Sequence, residues 1–341
     1  MKKDDTSALL VIRLSALGDV AMVIPVVGSL ARTYPDRQIK VLTLSRFTSL
    51  FDHLPRNVQV LSVKRNEIKT LYGMVRLLRL IDREDIGMVA DMHNVLRSWM
   101  IDFYCMLQGK RVSVLNKGRF DRFCLLRLHR RSPQKPYIKR YEQVFQRLGF
   151  QFTLSFRYAI PNASDFVNRK DGQVIVGIAP FARYANKTYP LVQMETVVRL
   201  LSERKNFRVL LFSGAGKEKQ TVRYWADKYN HVEAIGEKYR LDEEVAIMSQ
   251  LNLMITMDSA NMHLASLCGT RVISIWGATS PLCGFIGWNQ REGDAVVSGC
   301  DCQPCTIAGG KTCRYGDFHC LTAISPQAIV EKVISITNEL C

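Results

Sequence analysis

Residues 251–281 read LNLMITMDSANMHLASLCGTRVISIWGATSP. The apolar run Leu251–Met257 has the length and content of a buried strand. It ends on Asp258 and Ser259, residue types favoured at helix N-caps. A short helix is predicted from there to about Leu267, closed by Gly269. A second apolar run, Val272–Trp276, ends on Gly277. Strand, helix and strand in this order make a β-α-β unit, in which a strand end faces the first turn of a helix. Free backbone N–H groups and the positive helix end at such a place suit a phosphate or pyrophosphate. Ser259 and His263 are four residues apart and share a helix face there. Ala260, Ala265 and Ser266 are small enough for a ligand or a neighbouring backbone to come close. An ordinary crossover with a capping serine and a core-edge histidine fits the same spacing equally well.

Outward from this unit the same alternation recurs. In the first half, strands are predicted at Ala8–Ile12, Ile39–Leu44, Val58–Val63, Met88–Asp91 and Arg111–Leu115. Helices are predicted at Val20–Tyr34, Ile68–Ile81 and Val95–Leu107. In the second half, strands Val174–Ala179 and Val209–Ser213 alternate with helices Leu191–Glu203, Gln220–Tyr229 and Asp242–Ser249. Alternating β and α elements predict parallel sheets with helices on both faces. The polar stretch PNASDFVNRKDG, Pro161–Gly172, reads as an interdomain linker. A last helix is predicted over Pro326–Leu340. There is no internal repeat and no low-complexity tract.

At 341 residues, 47% of them hydrophobic, the chain is globular and long enough for two domains. No run approaches the roughly 18 apolar residues of a membrane span. The start, MKKDDTSALLVIR, has acids after its lysines and a short apolar run, which makes a poor signal peptide and predicts a cytoplasmic protein. The net charge of +16 is uneven. Residues 1–160 carry 28 Lys+Arg against 13 Asp+Glu, and residues 161–341 carry 19 against 18. A basic first half predicts a polyanionic partner: nucleic acid, an anionic membrane surface or a phosphorylated glycolipid. The densest part is Lys117–Arg140, KGRFDRFCLLRLHRRSPQKPYIKR, with nine basic residues and one acid, Asp121. Phe120, Phe123, Leu125, Leu126 and Leu128 are interleaved, the pattern of a basic amphipathic segment. A solvated basic helix and loop has the same composition.

Several side chains sit where strands end. Asp19 follows the first strand at a helix start, after Gly18, which permits a sharp turn. An aspartate in the first helical turn is also common for purely structural reasons. Asp91 ends another strand, with His93 and Arg97 four residues apart beyond it. Asp91 can equally bond nearby amides, with Arg97 as its partner. Lys187 precedes a predicted helix and is a usable point charge for phosphate. The turn Gly214-Ala215-Gly216-Lys217-Glu218 lacks the spacing of either the dinucleotide fingerprint or the P-loop. Four of the ten cysteines fall in Cys302-x2-Cys305-x7-Cys313-x6-Cys320, beside Cys300. Thiolates at CxxC spacing are zinc-ligand types, whereas cytoplasmic residence argues against disulfides; the favoured reading is a structural thiol cluster without metal. No D-x-D triplet occurs.

Four ordered motifs resemble those of glycosyltransferase family 9, the lipopolysaccharide heptosyltransferases. Arg13-Leu14-Ser15-Ala16-Leu17-Gly18-Asp19, with Pro25, resembles R-x-[ST]-x-[ML]-G-D-x-x-x-x-x-P. Asp91 to Ser98 resembles D-x-x-x-x-x-[RK]-S. Lys187-Thr188-Tyr189-Pro190 resembles K-x-W-P, with Tyr for Trp. Asp258, Ser259, His263 and Ala265, then Trp276, Gly277, Thr279 and Pro281, resemble D-[ST]-G-x-x-H-x-A followed by [FY]-G-x-T-x-P. Ala260 stands where the family has Gly, and Trp276 where it has Phe or Tyr. Ala260 adds a methyl group beside the expected phosphates. Gly214–Glu218 resembles the family's G-x-x-x-E turn.

The resemblance implies an α/β protein of the GT-B class, two Rossmann-like domains facing across a cleft. Residues 1–160 would bind the acceptor and residues 173–325 the nucleotide sugar. The last segment, 326–341, would pack back on the first domain. It implies an inverting, metal-independent transfer of a heptose from ADP-heptose to the lipopolysaccharide inner core, with Asp19 as general base. Lys187, Glu218, Asp258, Ser259, Ala260 and His263 would bind the donor, with Glu218 on the ribose. Ser15, Arg97, Arg130, Arg131 and Arg140 would bind an anionic glycolipid acceptor. No cofactor is implied beyond the nucleotide sugar, and the protein would sit peripherally on the inner leaflet. A related transferase using another nucleotide sugar or acceptor satisfies the same motifs. A nucleic-acid-binding protein satisfies the charge, but no nucleic-acid-binding motif is present. Acceptor sugar, linkage and oligomeric state are not specified by the residues.

Overall fold

The computed structural model describes residues 7–339, apart from 129 and 237. The lysines and acids at the start, Asp4 and Asp5 among them, lie outside the described residues, as does Leu340 at the end of the last predicted helix.

The elements alternate along the chain. They run β1 (Ala8–Ile12), α1 (Leu17–Thr33), β2 (Ile39–Leu44), β3 (Val58–Val63), α2 (Leu71–Asp82) and β4 (Ile86–Asp91). Next come α3 (Leu96–Leu107), β5 (Arg111–Val114), α4 (Arg119–Arg127) and α5 (Tyr137–Arg147). The second half has β6 (Val174–Ala179), α6 (Leu191–Ser202), β7 (Phe207–Leu211), α7 (Lys217–Lys228), β8 (Val232–Ala234) and α8 (Leu241–Ser249). It closes with β9 (Leu253–Met257), α9 (Ala260–Leu267), β10 (Arg271–Trp276), β11 (Ala295–Val297), α10 (His319–Thr322) and α11 (Pro326–Asn338).

The chain divides into two compact units. The first contains a five-stranded parallel sheet in the order β3-β2-β1-β4-β5. The second contains a six-stranded parallel sheet in the order β11-β10-β9-β6-β7-β8. Strands buried on both faces need continuous apolar runs, and β1 (ALLVI), β6 (VIVGIA) and β9 (LMITM) are buried at every position. In each sheet the strand order reverses once, between β1 and β4 and between β6 and β9. Ligands of open α/β sheets bind beyond the carboxyl ends of the strands at such a point.

In the first unit α1 packs on α5. Ser29 Oγ donates to the Pro25 carbonyl and accepts the N–H groups of Ser155 and Phe156, which ties that segment onto the helix. Gly28 lets the Phe156 ring seat directly on α1, where a Cβ would lie 2.5 Å from ring carbons.

Two boundaries differ from the sequence reading. Residues Phe120–Pro136 group with the second unit, whose Leu282 carbonyl accepts the Gln134 N–H. The first unit therefore carries 23 Lys+Arg against 12 Asp+Glu and the second 24 against 19, a gentler asymmetry than the linear halves show. Helix α11 is an element of the second unit. Its Ile329, Val333 and Ile336 belong to that unit's core and pack the helix on α6.

Candidate active site

In the second unit, the loops after β6, β9 and β10 converge at the reversal of strand order. Lys187 Nζ lies 2.7 Å from Asp258 Oδ2, and both side chains are nearly buried. Thr279 Oγ1 donates to the same oxygen at 2.7 Å. A cation, a carboxylate and a hydroxyl from three separate loops are thereby locked together at the start of α9. Ser259 takes the N-cap position with extended backbone, but its side chain does not cap the helix. Its Oγ instead lies 3.0 Å from Thr256 Oγ1, which leaves the first amides of α9 without a side-chain acceptor from Ser259. Ala260 opens α9, and His263 is buried one turn on.

A loop that sequence reasoning treated only as a cysteine cluster builds this site. Gln303 is buried, and its Nε2 donates to the carbonyls of Trp276, Gly277 and Thr279 at 2.9, 2.8 and 3.0 Å. The N–H groups of Cys305 and Thr306 both reach the Ala278 carbonyl. Asn186 accepts the Ala278 N–H on its own carbonyl and donates its side-chain amide to Lys311 O. Gly309, at φ +87°, packs against the Lys187 stem, where a Cβ would lie 2.6 Å from Cδ. Residues 303–311 thus fix both Thr279 and Lys187.

Burial raises the Cys302 and Cys305 thiols, and pushes Cys320 up to about 12. At Cys313 burial is outweighed by the N–H groups of Phe318, Tyr315 and Gly316, which lower its thiol. Among the described residues no group of three or more His, Cys, Asp or Glu side chains is placed to hold a metal ion. Tyr189, where the resembled motif has Trp, is fully buried and donates to the Ile324 carbonyl, so it serves the core. Glu218 Oε2 accepts the Gly214 N–H at 2.8 Å and closes the turn after β7.

In the first unit, Arg13 and Asp19 follow β1, and Asp91 ends β4, again at the reversal of strand order. Arg13 is buried, donates to the Met92 carbonyl and ion-pairs with Asp19 Oδ2. That same oxygen accepts the Ala16 N–H at 3.2 Å. Asp19 is the third residue of α1 and remains partly open to solvent. Both contacts fall on Oδ2. Gly18 lies inside the first turn of α1, after the irregular stretch Arg13–Ala16. Ser15 is half-buried in that stretch.

Asp91 is fully buried and bonds amides. It accepts the N–H groups of His93 and Asn94 and the Ser98 hydroxyl. Its side-chain partner is Ser98, in place of the expected Arg97, which is exposed. His93 precedes the helix, so it shares no helical face with Arg97. Burial, then the nearby Arg13 charge, pushes the His93 imidazole down to about 4 and keeps it neutral.

The other cations expected at the acceptor scatter. Arg130 and Arg131 are exposed on the segment that groups with the second unit, where Arg131 pairs with Asp301. Arg140 is buried under Gly118 and donates to the Asn116 carbonyl, so it supports a loop rather than presenting a charge. A basic cleft of about 540 Å³ escaped the sequence reading. Ser45, Lys64, Arg76, Arg79 and Arg83 line it, where β3 meets α2. Its signal was present: Arg76, Arg79 and Arg83 recur at helical spacing.

Comparison with known proteins shows the family. Residues 74–316 match glycosyltransferase family 9 (heptosyltransferase). The chain belongs to this family. The match takes in Asp91, Lys187, Glu218, Asp258 and His263, whereas Ser15 and Asp19 precede it. The chain is 26% identical to lipopolysaccharide heptosyltransferase 3 of Escherichia coli over 280 residues, 77% of this chain and 81% of the relative. The glycosyl transferase family 9 structure from Veillonella parvula DSM 2008 has a TM-score of 0.77 at 16% identity and covers 99% of each chain. E. coli heptosyltransferase WaaC, solved with ADP-2-deoxy-2-fluoro heptose, has a TM-score of 0.70 at 14% identity. That likeness covers 97% of this chain and 99% of the other. The fold is that of a GT-B heptosyltransferase, with two parallel-sheet α/β domains.

Proposed function

We propose that this heptosyltransferase-family chain transfers a heptose, with inversion, from ADP-heptose to the inner core of lipopolysaccharide at the cytoplasmic face of the membrane. The observation that carries the reading is the Lys187–Asp258–Thr279 arrangement at the start of α9. It offers a held cation and helix-terminal amides together, the environment a diphosphate needs. The ADP-heptose analogue bound by a structural relative and the lipopolysaccharide acceptor named for a sequence relative support the choice of substrates.

In this mechanism Asp19 Oδ1 takes the proton of the acceptor hydroxyl. The freed oxygen attacks the anomeric carbon from the side opposite the nucleotide. The bond to the diphosphate breaks, and its electron pair leaves on the ADP β-phosphate. Lys187 has three N–H donors and spends one on Asp258, so it meets the developing charge with the others. A carboxylate beside a phosphate is repulsive, so Asp258 serves by aiming Lys187. Ser259, Ala260 and His263 shape the wall at the phosphates, and Glu218 holds the ribose. Lys187 and the α9 amides supply the neutralisation that a metal ion otherwise gives, and no cofactor takes part. Arg97, the exposed Arg130 and Arg131 and the basic cleft at Lys64 and Arg76 meet an anionic glycolipid. No helix among the described residues is long and apolar enough to cross a membrane, and the protein works peripherally on the inner leaflet.

The test is ADP release from a panel of ADP-, GDP- and UDP-sugars with a deacylated inner-core acceptor. ADP-heptose alone should support turnover, and the product linkage should have the opposite anomeric configuration to the donor. Turnover with a UDP- or GDP-sugar in its place would move the chain to another donor class. Salt-sensitive DNA binding without sugar transfer would favour the nucleic-acid reading.

A further inference from the structure

Helix α3 is apolar on the wrong side for a helix in water. Its inner face buries Ser98, Ile101, Asp102 and Cys105. Its outer face carries Leu96, Trp99, Met100, Phe103, Met106 and Leu107, which are 72%, 45%, 41%, 62%, 52% and 71% exposed. At 3.6 residues per turn these six fall within roughly a third of the helix circumference. No charged residue interrupts that arc; Arg97 stands at its flank. A surface helix of a soluble protein puts polar side chains there. A contiguous exposed apolar stripe marks an interaction site.

We propose that the outer face of α3 seats in the interfacial layer of an anionic lipid membrane. Charge selects this occupant. The unit that carries α3 has 23 Lys+Arg against 12 Asp+Glu, which favours an anionic surface and disfavours a second copy of itself. Within that unit the stretch 96–119 holds five Lys/Arg and one acid, Asp102, which is buried. Trp99 has the amphipathic placement of an interfacial tryptophan: its ring is half exposed, and its Nε1 donates to Asn94 Oδ1 at 2.7 Å.

The placement has a functional consequence. The loop that launches α3 is the one Asp91 organises; it carries His93, and Arg97 stands in the first turn of the helix. Seating α3 in the lipid surface therefore brings the acceptor-binding loop to where a lipid-anchored acceptor is presented. This consequence rests on the transferase reading above; the lipid binding itself does not.

The test is sedimentation of the full chain with phosphatidylglycerol vesicles and with pure phosphatidylcholine vesicles. The protein should bind the anionic vesicles, and Phe103→Ser with Leu107→Ser should weaken binding about tenfold or more. Lipids with brominated acyl chains should quench part of the tryptophan emission, and Trp99→Phe should remove that part. Turnover of the double variant with a deacylated, water-soluble acceptor should stay within about twofold of the parent, which also shows that it folds. Equal vesicle binding by parent and variant, or quenching that survives Trp99→Phe, would overturn the proposal. So would a parent that is dimeric on gel filtration and becomes monomeric on Phe103→Ser with Leu107→Ser, since a second copy would then be the occupant. If the parent turns over no soluble acceptor, the transferase reading fails, while the vesicle and quenching results still judge the helix.

Discussion

Lys187 and Asp258, 71 positions apart in the chain, meet through a 2.7 Å contact between Nζ and Oδ2. Each ends the run that follows a central strand of the second sheet, so the pair marks the point where strand order reverses. Breaking a buried pair by removing one partner costs about 3–5 kcal/mol, because the other charge is stranded. Asp258→Ala should therefore lower Tm and weaken nucleotide-sugar binding together. Lys187→Met combined with Asp258→Ala should recover part of the Tm and none of the donor affinity. Calorimetry of the three variants with ADP-heptose separates the structural role from the binding role. Full-strength donor binding by the single variants would show that the site lies elsewhere.

Gln303 acts one step further out. Its amide holds three carbonyls of the 276–279 loop, and that loop delivers Thr279 to Asp258. Gln303→Met keeps the volume and removes the donors. It should raise the donor KM by about tenfold, in line with 1–3 kcal/mol for orphaned buried acceptors, with kcat changed far less. An unchanged KM would mean that the loop holds its shape without this amide.

The neighbouring thiols should be dispensable for chemistry. Cys302→Ser with Cys305→Ser should keep turnover within a few-fold and lower stability. Stoichiometric zinc in the pure protein, measured by metal analysis, would contradict this.

His93 supplies a pH signature. Burial and Arg13 push its imidazole down to about 4, so it is neutral throughout the range where an ordinary histidine titrates. The rate profile between pH 5 and 8 should carry no step from His93, and His93→Asn should leave its shape unchanged. The depressed value also works on stability. Below about pH 6.5 the unfolded chain binds a proton that the folded chain refuses, so stability falls as pH drops toward 4. Thermal melts of His93→Asn should lack that part of the acid loss.

The parallel strands were legible because both-face burial demands unbroken apolar runs, and Val174–Ala179 and Ile39–Leu44 stand as predicted from sequence. Helix α5 was not. Its buried face mixes Arg140 and Glu142 with Tyr137, Tyr141, Val144 and Phe145, so its first turn read as the end of a basic amphipathic segment and the rest as no element. The edge strands β8 and β11, three residues each, are too short for any periodicity. The placement of Phe120–Pro136 with the second unit depends on distant partners such as Leu282. Within the site, Asp19, Lys187 and Asp258 were named through motif resemblance, since no local pattern pairs residues that far apart. Gln303 carries no motif at all; only the folded loop shows what its amide holds.

The central claim is that Asp19 is the base and the second unit binds the donor on its own terms. Asp19→Asn isolates it, because the two side chains are nearly isosteric and only one accepts a proton. Arg13 keeps its bond to the Met92 carbonyl in the variant, and circular dichroism with ADP-heptose titration checks the fold. A general base contributes roughly 10²–10⁴-fold. The measurement is kcat for heptose transfer beside Kd for ADP-heptose. The account predicts at least a hundredfold loss of kcat with Kd unchanged within about twofold. Near-normal kcat in the folded variant would contradict it.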